Sequence, residues 1–137
     1  MSIQLQDGRQ YPLVAIIDFS YADFDASGVA ELAAEIPGSA RDVTLNLAIT
    51  EAFNSATSDA IDVGDGTTDD AYVSGQNGQV VADADVAVSI PVMGSNSQFT
   101  LKWTGVGAAP TTGAGRLKIE YLQSGRANET ADAVGVV

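Results

Sequence analysis

Apolar and polar positions alternate along most of the chain in short runs, and clusters of Gly, Asp, Asn and Ser separate one run from the next. The clearest run is 42–53 (DVTLNLAITEAF), where Val43, Leu45, Leu47 and Ile49 alternate with Thr44, Asn46, Ala48 and Thr50. A period of two puts the first set on one face of an extended chain, so the run predicts a half-buried strand. Residues 59–63 (DAIDV) alternate in the same way, and Tyr72-Val73 predicts another short strand before Gly75. Residues 84–93 carry Val86, Val88 and Ile90 on one face, with Pro91 placing that strand at an edge or at its end. In 98–104 (QFTLKWT), Phe99, Leu101 and Trp103 share a face, which predicts Trp103 buried between sheets. The last run, 116–122, sets Leu117, Ile119 and Tyr121 against Lys118 and Glu120.

Two further runs lack polar alternation. Residues 11–19 (YPLVAIIDF) follow the turn signal Asp7-Gly8, and a short β-branched run of this kind predicts a buried strand. Residues 29–36 (VAELAAEI) have helical propensity, but Gly28 and Pro37-Gly38 bracket them closely, so helix and strand both stay open.

Seven or eight short strands at regular spacing, joined by Gly-rich turns, predict an all-β protein of a single domain, a β-sandwich or barrel. The expected organisation is an N-terminal arm (1–10), a sandwich (11–123) and a C-terminal tail (124–137). Arm and tail have no strand partner nearby in sequence, yet both hold apolar residues. Ile3, Leu5, Arg9 and Tyr11 on one side, and Arg126 and Val136 on the other, are therefore the candidate contact residues, through strand addition to a neighbour.

Composition narrows the chemistry. The 137 residues include no histidine and no cysteine. That excludes Ser-His-Asp and Cys-His catalysis, disulfides and Cys- or His-ligated metals. A net charge of −12 argues against nucleic acid, because phosphate contacts need clustered cations and the six basic residues are spread along the chain. No apolar stretch is long enough for a membrane span, and residues 1–7 lack the basic start and apolar run of a signal peptide.

The sharpest candidate site is the acidic loop that holds Asp59, Asp62, Asp65, Asp69 and Asp70. Asp62, Asp65, Asp69 and Asp70 together offer oxygens to calcium, although their spacing departs from the EF-hand pattern. Asp-Gly clusters more often serve as turns, and that reading is preferred here. No cofactor is expected. The acids lie in turns and on polar faces rather than in apolar pockets, so paired-carboxylate glycoside hydrolysis is not expected either. Gly64-Asp65-Gly66 and Gly105-x-Gly107 precede no helix pattern, which disfavours phosphate binding. Tyr11, Tyr21, Tyr72, Trp103 and Tyr121 leave open a sugar-stacking platform.

Three stretches, in this order, resemble a family of small virion structural proteins of tailed bacteriophages, of the head decoration or cement type. They are 52–66 (AFNSATSDAIDVGDG), 103–111 (WTGVGAAPT) and 113–121 (GAGRLKIEY). The resemblance implies a jelly-roll-like antiparallel sandwich made in a bacterial cytoplasm and placed on the outer capsid surface. It also implies a homotrimer that binds the major capsid protein and stabilises the lattice without catalysis. The alternative is a head-fibre, tail or neck component that binds host carbohydrate.

Overall fold

The computed structural model describes residues 12–24, 29–38, 40–87 and 96–123. Eight strands run in chain order: β1 (Leu13–Ser20), β2 (Glu31–Ile36), β3 (Ala40–Glu51), β4 (Ser58–Gly64), β5 (Val73–Asn77), β6 (Ala82–Ala87), β7 (Ser97–Val106) and β8 (Ala114–Gln123). They form two four-stranded antiparallel sheets, ordered β1-β8-β3-β6 and β2-β7-β4-β5. Only the β4–β5 link stays within one sheet; every other connection crosses between layers. Eight strands wound in this way form a jelly roll, which gives the expected sandwich a definite topology.

The alternation in β3 explains where the core sits. Leu45 and Leu47 are fully buried, with Ile119 and Leu117 of β8 opposite them on one side and Val86 of β6 opposite Leu45 on the other. The facing sheet supplies Ile61, Val63, Phe99 and Leu101. Each such side chain removed from water contributes roughly 1.5–3 kcal/mol, which makes this two-layer contact the main source of stability.

The open choice at 29–36 is resolved as a strand. β2 pairs with β7 from Glu31↔Leu101 to Ile36↔Ser97, with an irregularity between Leu32 and Ala34. Helical propensity differs by at most about 0.7 kcal/mol per residue among ordinary residues, less than burying Ile36 against the other sheet returns.

Two expectations need correction. The 11–19 run is not a buried strand. Its strand, β1, lies at a sheet edge and pairs with β8 alone among the described residues, leaving Val14 48% and Ile16 56% exposed. Among the described residues no second layer covers the outer face of that sheet, so it is the alternate positions Ala15, Ile17 and Phe19 that reach the core. Trp103 is half-buried at one end of the sandwich rather than enclosed between the sheets.

Other boundaries shift. β5 runs on through Gly75 to Asn77, and β6 begins at Ala82, two residues earlier than the apolar run. Val88, Ile90 and Pro91 lie outside the described residues, as do arm residues Ile3, Leu5, Arg9 and Tyr11 and tail residues Arg126 and Val136.

Candidate assembly surface

The acidic loop is built from separate local contacts. Asp62 Oδ1 accepts the Gly75 amide at 2.6 Å, which anchors β5 beside β4. Asp65 Oδ1 accepts the amides of Thr68 and Thr67 at 2.7 and 2.9 Å, an Asx turn. Those two amides hold the Asp65 carboxyl below the usual carboxylate range. Asp69 pairs with Lys102 at 3.0 Å, and Asp70 accepts the Ser74 hydroxyl at 3.1 Å. Among the described residues no three acidic side chains gather into a group able to hold a metal ion.

Asp59 belongs to a different structure. Period-two alternation places it on the same face as Ile61 and Val63, and it is only 2% exposed. Its carboxylate accepts the Ser55 amide (2.9 Å), the Trp103 indole N–H (2.8 Å) and the Gln79 side-chain amide (3.1 Å). Burial alone would raise the carboxyl, but hydrogen bonds from Ser55, Trp103 and Gln79 outweigh it and leave the pKa lowered. Gln79 also donates to the Ser55 carbonyl at 2.8 Å, and Phe53 N–H donates to the Gly78 carbonyl at 2.8 Å.

Two glycines make room for the aromatic rings here. A Cβ on Gly105 would sit 2.1 Å from the Trp103 ring, and one on Gly113 would sit 2.4 Å from Phe53, at a φ of +139°. Asn54 completes the tie by accepting the Thr111 amide at 2.7 Å. Parts of the three stretches that carry the family resemblance, 52–59, 103–111 and Gly113, therefore meet at one end of the sandwich, while β4 and β8 carry the rest toward the other end. What they share is a set of packing and hydrogen-bonding parts for joining loops.

The described members of the aromatic platform do not come together. Tyr21 and Tyr121 lie at opposite ends of the β1–β8 pair, since β1 ends just before Tyr21 and Leu13 pairs with Tyr121. Tyr72 packs on Phe99 with ring centroids 5.1 Å apart and its hydroxyl buried. Trp103 is bound to Asp59, and Tyr11 lies outside the described residues.

Among the described residues nothing covers the side formed by edge strands β1 and β2. Val14 and Ile16 face outward on β1; Leu32 on β2 is 60% exposed and Val29, just before it, 57%. Between the two strands lies a groove of ≈ 130 Å³. Buried Phe19 and Leu101 and half-buried Ile17 and Phe24 line it, with Ala33 at the β2 irregularity. Asp18, Asp23, Glu31 and Leu32 form its exposed rim. Asp18 is held by Arg116 at 2.7 Å, and Asp23 accepts the Ser20 amide at 2.7 Å, so these two rim carboxylates are fixed in place.

Sequence reasoning missed this surface. Val14, Ala15, Ile16 and Ile17 form an unbroken apolar run, and such a run does not say which face will lack a partner. For Asp59 a signal did exist, namely its phase with Ile61 and Val63.

No family model and no curated protein matches the chain. Among solved structures, one similar chain comes from the capsid asymmetric unit of cyanophage Pam1, with a TM-score of 0.65 and 15% identity over 90% of this chain and 91% of that one. Another comes from a Bacillus endospore appendage described as a disulfide-linked pilus, with 20% identity over 90% and 98% of the two chains but a TM-score of 0.39. The first likeness establishes a shared fold.

Proposed function

We propose that this protein is a non-enzymatic phage structural protein that decorates the outer surface of the head and stabilises the capsid lattice as a homotrimer. The observation that carries the reading is the jelly-roll likeness to a chain of a phage capsid asymmetric unit, which extends over nine-tenths of both chains. The meeting of parts of the three resembling stretches at one end of the fold supports it. So does the open β1–β2 side, because exposed strand edges flanked by apolar side chains invite a protein partner.

The mechanism follows from valency. Each copy adds a modest contact to a capsid subunit, and three linked copies engage together at high effective concentration, so the lattice is clamped without any single tight contact. The acidic surface left outward keeps decorated heads apart and repels nucleic acid.

The test is to add purified protein to heads that lack it. Saturable binding, with heads that then resist heat or low ionic strength, is the expected result. Heads that neither bind the protein nor gain resistance would overturn the reading.

A further inference from the structure

We infer that Asn77-Gly78 is a latent deamidation site, that the Asp59 end of the sandwich keeps it shut, and that its reaction unfastens that end. The inference is independent of the proposed function.

The dipeptide sets the chemistry. Asn77-Gly78 is the sole Asn-Gly pair in the chain. The Gly78 nitrogen, after losing its proton to hydroxide, attacks the side-chain carbonyl carbon of Asn77. An N–C bond forms, the bond to the side-chain nitrogen breaks, and ammonia leaves a cyclic imide. Water then opens the imide at either carbonyl and gives aspartate or isoaspartate at position 77. Glycine suits the attack because no Cβ shields its nitrogen. Asn77 is exposed at the end of β5, so water and base reach it.

The fold opposes both reacting groups. The Gly78 N–H donates to the Asp59 carbonyl at 2.8 Å, and that oxygen would face the negative nitrogen that attack requires. Asn77 Oδ1 accepts the Gln79 amide at 2.9 Å, which ties the side chain down before it can turn onto Gly78. Neighbours hold the turn in place. The Gly78 carbonyl accepts the Phe53 N–H at 2.8 Å, and the Gln79 side chain donates to the Ser55 carbonyl and the Asp59 carboxylate at 2.8 and 3.1 Å. Reaction therefore requires local opening of this turn.

The isoaspartate product has a structural consequence. It lengthens the main chain by one carbon, a bond of about 1.5 Å. Gly78 is gripped at both its N–H and its carbonyl, and hydrogen bonds of 2.8 Å do not survive a displacement of that size. The ties to Asp59 and Phe53 are then lost together, and the turn stays open.

To test this, full-length protein is incubated in mildly alkaline buffer, natively and in denaturing urea, with conversion at position 77 read by peptide mass mapping. Because two hydrogen bonds must break, native conversion should be roughly 10- to 100-fold slower than in urea. Gln79→Ala removes the side-chain tethers but keeps the Asn-Gly pair, so it should convert several-fold faster at unchanged circular dichroism. A graded urea series below the unfolding transition needs no variant: conversion should rise in step with hydrogen exchange of the Gly78 amide. Equal native and denatured rates, a folded Gln79→Ala chain that converts no faster, or conversion that ignores Gly78 exchange would each overturn the shut site. The isoaspartate form, separated by chromatography, should melt below the parent, whereas Asn77→Asp keeps its main chain and should melt close to it. Equal melting of the isoaspartate form and Asn77→Asp removes the unfastening.

Discussion

At the Asp59 end, three loops from distant parts of the chain are tied together. Asp59 holds Ser55, Gln79 and Trp103, while Asn54 holds Thr111 and Phe53 lies over Gly113. Along the β1–β2 side the same small sandwich leaves Val14, Ile16, Val29 and Leu32 in solvent around a groove. Both regions use apolar side chains beside carboxylates. They differ in whether the carboxylates point inward to fixed N–H donors or outward as a rim. The first arrangement ties the fold together within one chain, and the second leaves apolar surface that the proposed function assigns to assembly. Substitutions at the closed end should therefore cost stability, and those at the open side should cost association.

The strongest way to break this contrast lies at Phe53. Phe53→Ala removes a 2%-exposed ring seated on Gly113 and should lower stability by about 3–5 kcal/mol, read as a fall in the urea midpoint. Asp59→Ala comes next. It strands the Trp103 and Ser55 N–H groups in a buried site and should cost about 2–3 kcal/mol.

The same carboxylate predicts a pH effect whose sign is fixed. Its folded pKa lies below the unfolded value of about 3.9, so its contribution is complete above that pH and is lost as pH falls through the lower folded value. Melting curves from pH 6 down to about pH 2 should show an acid limb, and Asp59→Asn should make it shallower. Asp65 and Asp18 are shifted in the same direction, so the limb should not vanish.

Leu32→Asp sharpens the contrast from the open side. It should change stability by less than about 0.5 kcal/mol while reducing self-association and head binding, measured by light scattering and co-sedimentation. The smallest effect is expected at the acidic loop. With Asp62, Asp65, Asp69 and Asp70 each engaged by a different partner, millimolar calcium should move the melting temperature by less than about 1 °C, and a larger rise would restore the metal reading.

The core was legible in the sequence wherever polar residues marked the alternation. Val43 to Ile49, Phe99 to Leu101 and Leu117 to Ile119 all face inward as their spacing requires. The pattern failed where every position was apolar, as in β1, because exposure there depends on the absence of an outer neighbour. It also failed where propensity opposed pairing, as in the Ala-rich β2. Trp103 kept its predicted phase yet sits half-buried, because β7 extends past the core and its ring reaches the end loops. The joining of Asp59 to Gln79 and Trp103 spans 20 and 44 positions of sequence, and no local spacing encodes a contact of that range.

The hydrogen bond from Trp103 to Asp59 has an optical consequence. Trp103 is the sole tryptophan, and its indole N–H ends on a buried carboxylate at the closed end. Its emission spectrum therefore reports whether the three loops are joined. Unfolding and assembly can thus be followed in one cuvette without a label, by fluorescence for the first and scattered light for the second.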